Sequence, residues 1–108
     1  MIVVEKSNLT KEDIIRLIRE SQAKLIRLGI KSIGIFGSFV RGDASLSSDV
    51  DILVEFDSKK KTFDNFIDIC FFLEDLFNRK VEVVTKESIS PYIKPYILKE
   101  IEYVPLFH

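Results

Sequence analysis

Tryptophan is absent from this chain of 108 residues, and cysteine, methionine and histidine occur once each. A single cysteine excludes an intrachain disulfide, so Cys70, set among apolar residues, reads as a buried free thiol of a reducing compartment. The only histidine, His108, is the last residue, a poor place for a native metal ligand. Glutamine is scarce too, whereas lysine, glutamate and isoleucine are plentiful, a bias shared with proteins that work hot. No apolar run approaches the ~18–20 residues a membrane span needs. Met1-Ile2-Val3-Val4-Glu5-Lys6 lacks the basic start and long apolar stretch of a secretion signal. The expectation is a cytoplasmic protein with no membrane contact. Neither sign of charge dominates, at a net −1, and Lys59-Lys60-Lys61 is the only basic run. Three lysines in a loop are usually just solvated, so direct nucleic-acid binding is not expected.

What is present suits an ordinary soluble globular protein, 46% apolar and 31% charged. The length allows one domain, residues 1–108, without room for a second core. Neither an internal repeat nor a linker divides it. The first helix is expected from Lys11 to Leu28, with Thr10 as N-cap, Asp13 completing a variant capping box, and Leu9 and Ile14 spaced as a staple. Ile14, Ile18, Leu25 and Leu28 share one face, and Gly29 ends the helix. Ser32–Phe36 reads as a buried strand running into Gly37-Ser38, followed by a helical turn over Phe39–Arg41 and a loop from Gly42 to Ser48. Val50–Phe56 is a second strand. A helix over Phe63–Phe77, capped by Thr62, and a strand over Val81–Thr85 follow. Ser90-Pro91 suits a helix start, Pro95 interrupts or restarts that helix, and Ile101–Val104 reads as a short edge strand ended by Pro105. The order α-β-β-α-β-α, with a small fourth strand, makes an α/β (α+β) domain.

Four features carry chemistry. Glycine at Gly37 lets backbone approach a ligand, and amides at the start of the next turn, with the Ser38 hydroxyl, are donors for phosphate oxygens. An ordinary turn is the plainer alternative. In Asp49-Val50-Asp51, strand alternation turns both aspartates to one face while Val50, Ile52 and Val54 point into the core. Two ionised carboxylates about 7 Å apart repel by roughly 2 kcal/mol at an effective dielectric near 20. A divalent cation between them turns that penalty into affinity, and oxygen-only ligands select Mg²⁺. The alternative is a solvated polar strand face. Glu82 faces the aspartates if its strand pairs beside Val50–Phe56, and a third carboxylate fits phosphoryl-transfer chemistry. Otherwise it is an exposed polar residue. Arg41 either neutralises phosphate or pairs with Asp43.

Gly37-Ser38-Phe39-Val40-Arg41-Gly42 followed by Ser48-Asp49-Val50-Asp51-Ile52-Leu53-Val54 resembles the signature of the DNA polymerase β-like nucleotidyltransferase superfamily. The short chain and its ending, Val83-Val84-Thr85-Lys86-Glu87 with Ser90-Pro91-Tyr92-Ile93 and Pro95-Tyr96-Ile97, resemble the minimal nucleotidyltransferase branch. The similarity runs from about Leu9 to Val104, and a multi-part motif in strand context is specific. It implies a small mixed sheet of three to four strands flanked by helices, and transfer of NMP from an NTP, ATP being favoured, with release of pyrophosphate. By position, Gly37 and Ser38 would hold the triphosphate, with Arg41 beside them. Asp49, Asp51 and Glu82 would be the catalytic, metal-binding carboxylates for two Mg²⁺ ions. Many members carry aspartate where Glu82 stands. Several are antitoxins of HEPN-domain ribonucleases, and some AMPylate a tyrosine of the toxin.

The implied function is AMP transfer from ATP to a hydroxyl on a HEPN-domain partner. Two alternatives stand beside it: an antitoxin acting by binding alone, and a catalytic subunit that modifies a small molecule with a helper subunit. On Phe63–Phe77, Phe66, Cys70, Leu73 and Phe77 form one apolar stripe and Ile69, Phe72 and Leu76 a second. The second stripe is either deep core or an interface for a partner or a second copy. Arg41-Gly42-Asp43 spells an integrin-binding tripeptide by coincidence, and nothing marks Tyr92, Tyr96 or Tyr103 as a nucleophile.

Overall fold

Thr10 opens the first helix by accepting a hydrogen bond from the Asp13 amide (3.1 Å), while the Asp13 carboxylate accepts one from the Thr10 amide (3.1 Å). Two donors that a helix start leaves unpaired are thereby satisfied. The computed structural model describes residues 9–107, so the expectations for Met1–Lys6 and His108 lie outside the described residues.

The single helix expected over Lys11–Leu28 is two: α1, Lys11–Glu20, and α2, Gln22–Arg27. They divide at Ser21 (φ −102°, ψ 9°), whose amide is shared between the Leu17 and Ile18 carbonyls at 3.1 Å each. Serine is a weak former of helix interiors, and a three-centre bond of this kind tightens the turn. Ile14, Ile18 and Leu25 remain fully buried across the break. Gly29, at φ +101°, turns the chain into β1, Ile30–Phe36, two residues longer than the sequence suggested. A Cβ at Gly29 would press on the Lys60 side chain and backbone.

A single turn, α3 (Ser38–Arg41), precedes β2 (Val50–Phe56). Helix α4, Phe63–Phe77, starts where the Thr62 hydroxyl accepts from the Asn65 amide (3.1 Å) and ends on Asn78 in the left-handed region. It returns the chain to β3, Val81–Thr85, and a 3-10 turn at Lys86–Ser88 follows. The last helix, α5, begins at Lys94 rather than at Ser90-Pro91, which form a turn. Pro95 therefore sits in the first turn, where a missing N–H leaves nothing unpaired. Strand β4 is Glu102–Val104.

The sheet order is β3-β2-β1-β4; β1 is antiparallel to β2 and β4, and β2 is parallel to β3. Period-2 alternation separates the two faces. On one, Ile33, Ile35, Val50, Ile52, Val54 and Val81 pack with Ile14, Ile18, Leu25, Ile69, Leu73 and Phe77 into the core. Each such side chain contributes about 1.5–3 kcal/mol of hydrophobic free energy. The opposite face carries Gly34, Asp51, Leu53, Glu55 and Glu82. Over Gly34 lies the side chain of Ile101, at the end of α5, and a Cβ there would come within 2.7 Å of it.

The two stripes of α4 divide in a way that periodicity alone left open. Ile69, Leu73 and Phe77 are buried and Phe66, Phe72 and Leu76 pack partly against the core, whereas Phe63 and Phe71 are exposed. Cys70 is a free, half-buried thiol rather than a buried one. Burial, and then Glu74, push its pKa up. Among the described residues, no helix is long and apolar enough to cross a membrane.

Candidate active site

Where β1 ends, Gly37 takes φ +81° and ψ −151°, a conformation that essentially only glycine adopts. The same residue brings the chain against Asp51: a Cβ at Gly37 would collide with the Asp51 carboxylate. The turn α3 then closes through Val40 and Arg41 amides donating to the Gly37 carbonyl (3.1 and 3.0 Å). Ser38 stands at its start, partly exposed. Gly42, left-handed at φ +83°, ends it.

Asp51 is the second residue of β2, opposite Phe36 on the antiparallel side and opposite Glu82 on the parallel side. The pairing on which the position of Glu82 depended is therefore present. Burial, then the charge of Glu82 and a hydrogen bond with it, and then Asp49 raise the Asp51 pKa from 3.8 to about 6, while Arg41 draws it down. Asp49 lies just before β2 begins, partly buried, at the end of the loop that follows α3. Glu82 is exposed.

Arg41, for which two roles were open, donates from Nε to Asp43 Oδ2 at 3.4 Å and from Nη1 to both Glu100 oxygens at 3.3 and 3.4 Å. Two further residues escaped sequence reasoning. Arg79, 7% exposed, donates from Nη1 to the carbonyls of Ser45 (3.1 Å) and Ser48 (3.0 Å), and its guanidinium lies 5.2 Å from the centre of the Phe39 ring. It thus fastens the loop leading to Asp49 onto the end of α4. Glu100, on α5, reaches Arg41 across 59 positions of sequence. Neither contact leaves a local signal, since both partners are distant along the chain.

Among the described residues, no group of three or more His, Cys, Asp or Glu side chains is disposed to hold a metal ion. Asp51 and Glu82 nevertheless suit Mg²⁺. They are adjacent oxygen donors, burial and then the charge of Glu82 hold a proton on Asp51 up to about pH 6, and the absent Cβ of Gly37 leaves space at the Asp51 carboxylate. Mg²⁺ characteristically takes one or two carboxylates together with substrate phosphates and water, not a closed protein cage.

A cleft of about 700 Å³ lies at the other ends of β1 and β2, lined by Gly29, Lys31, Glu55, Asp57, Lys60 and Lys61 among others. Two ion pairs lie at it, Lys61 with Glu87 at 3.2 Å and Glu55 with the neighbouring Lys86 at 3.8 Å. Glu55, Asp57 and Glu87 line it, but no three acidic side chains among the described residues are disposed there to hold a metal ion.

Residues 13–104 match the family model described as nucleotidyltransferase domain. The protein adenylyltransferase MntA of Thermococcus cleftensis is 39% identical over 97 residues, spanning 89% of this chain and 97% of that protein. A Methanocaldococcus jannaschii protein assigned as a protein adenylyltransferase is 40% identical over 77 residues, 69% of this chain and 77% of its own length. Among solved structures, one assigned as a minimal nucleotidyltransferase superposes with a TM-score of 0.74 at 31% identity, covering 93% of this chain and 99% of that one. A chain of a toxin–antitoxin structure with AMP-PNP shares the fold, with a TM-score of 0.63 at 21% identity over 93% of this chain and 76% of its own. The motif that runs from Gly37-Ser38 to Asp49-Val50-Asp51 thus carried its resemblance correctly: the chain is a nucleotidyltransferase and belongs to the nucleotidyltransferase domain family, in its minimal, MntA-like branch.

Proposed function

We propose that this nucleotidyltransferase moves AMP from ATP to a hydroxyl on a HEPN-domain protein, acting in the cytoplasm as the antitoxin of a toxin–antitoxin pair. The observation that carries the chemistry is the pairing of Asp51 with Glu82 beside the close approach of Gly37. The protein acceptor is supported by MntA of Thermococcus cleftensis, a protein adenylyltransferase aligned over 97% of its length. The HEPN partner follows from the family resemblance carried by the motif residues.

In this mechanism Gly37 and Ser38 place the triphosphate with backbone and hydroxyl donors, and Arg41 meets its charge from the side. Asp49, Asp51 and Glu82 would hold Mg²⁺, with two ions in the full complex. When bound, Mg²⁺ offsets the carboxylate and polyphosphate charge and stabilises the leaving pyrophosphate. The acceptor hydroxyl oxygen forms a bond to the α-phosphorus while the bond from that phosphorus to the β-bridging oxygen breaks. The electron pair leaves with pyrophosphate, and the hydroxyl proton passes to the exposed Glu82 carboxylate.

Intact-mass measurement of the partner after incubation with ATP and Mg²⁺ tests this. One added AMP with wild type and none with Asp51→Asn is expected. A stable complex without added mass would replace transfer by an antitoxin that works through binding alone. Labelling of a small molecule instead of the partner would replace the protein acceptor.

A further inference from the structure

Arg41 is held from two sides. Asp43, two residues along the chain, contacts Nε at 3.4 Å, and Glu100 brings both carboxylate oxygens to Nη1 at 3.3 and 3.4 Å. The two acids differ in setting. The Asp43 side chain is 63% exposed and sits in the loop just after α3, whereas that of Glu100 is only 25% exposed and belongs to α5. Ile97 is the buried residue of that helix, and the following Ile101 lies over Gly34. Glu100 therefore links Arg41 to the helix whose end lies over Gly34, on the face of the sheet that carries Asp51. The guanidinium so held lies near enough to Asp51 to act on that carboxyl electrostatically.

A surface arginine loses much rotamer freedom on gripping a phosphate, and an arginine already oriented loses less. We propose that Glu100 is a positioning residue, which orients Arg41 before the nucleotide arrives and so strengthens the hold on its polyphosphate. This rests on Arg41 being a phosphate contact of the nucleotidyl-transfer site, but not on the identity of the acceptor. Glu100 touches no reacting atom and acts only through Arg41.

The test is titration of AMP-PNP with Mg²⁺ into wild type, Glu100→Gln, Arg41→Ala and the double variant, followed by calorimetry. No acceptor takes part, so failure of the protein-acceptor assignment would leave this result untouched. Glu100→Gln is expected to raise Kd about threefold, the scale of a partly exposed ion pair. Arg41→Ala should raise it at least as much, and Glu100→Gln should then have no further effect. The melting temperature of Glu100→Gln should match wild type. Tighter binding in Glu100→Gln would show that Glu100 competes with phosphate for Arg41 and would overturn the proposal. An equal loss with and without Arg41 would overturn it as well, since a purely structural role predicts additivity. Absence of any AMP-PNP binding by wild type would instead refute the nucleotide site itself.

Discussion

Asp51 and Glu82 are direct neighbours across the parallel pair of β2 and β3, two acids in register on the face of the sheet away from the core. Cross-strand like charges are destabilising, and burial adds to the penalty for Asp51. A fold that keeps such a pair together, with Asp49 close by, holds a surplus of negative charge where a cation-bearing substrate would relieve it.

Replacing Asp51 by asparagine is expected to lower nucleotidyl transfer by roughly 10²–10⁴-fold, the range for loss of a positioned catalytic group. The fold should survive and, without metal, melt no lower than wild type, because a half-buried charge and its repulsion by Glu82 are removed. Parallel rate and melting measurements check both halves. Unchanged turnover would end the assigned role of Asp51.

The raised pKa sets a pH dependence. Well below pH 3.8 the Asp51 carboxyl is protonated in folded and unfolded chains alike. As pH rises, the unfolded chain ionises from its ordinary value of 3.8, while the folded carboxyl holds its proton to about 6. The stability associated with this group is therefore present at low pH and lost as pH passes through about 6. Metal-free wild type should lose melting temperature relative to Asp51→Asn between pH 4 and 7, and Mg²⁺ at pH 7 should restore more of it to wild type than to the variant. Parallel melting curves across that window would contradict the linkage.

Gly37→Ala combines two faults, a side chain at φ +81° and a collision with the Asp51 carboxylate. A loss of about 1–3 kcal/mol in unfolding free energy is expected from the backbone conformation. Activity should fall further than stability, since Asp51 must move. Denaturant unfolding beside a transfer assay separates the two effects.

Arg79→Ala removes the two hydrogen bonds to Ser45 and Ser48 and the contact over Phe39. With a charged donor, a loss of about 2–3 kcal/mol is expected. The loop from Gly42 to Ser48 should become more readily cut by protease, and transfer should weaken because Asp49 stands at its end. A protease pattern identical to wild type would show that Arg79 does not hold this loop.

Much of this was legible in residue order because it is local. Thr10 and Thr62 announce their helices through a side chain three residues from the amide it caps. Alternation over Val50–Phe56 was enough to turn Asp51 away from Val50 and Ile52. The break at Ser21 was missed because Ile14, Ile18 and Leu25 keep one apolar face through it, so periodicity continues where hydrogen bonding does not. The helix start at Lys94 was one of two readings left open, because Pro91 and Pro95 each satisfy the same rule for a first turn. The direction of β3, the grip of Glu100 on Arg41 and the fastening of the loop by Arg79 depend on segments tens of residues apart. They arise from packing, and short patterns do not record them.

The most direct test is transfer of label to the proposed HEPN-domain partner from ATP labelled at the α- or the γ-phosphorus, with Mg²⁺, for wild type and Asp51→Asn. Nucleotidyl transfer through the Asp51–Glu82 site requires the α-label to appear on the partner, the γ-label to leave with pyrophosphate, and Asp51→Asn to transfer neither. Retention of the γ-label on the partner, or undiminished α-labelling by Asp51→Asn, would contradict it.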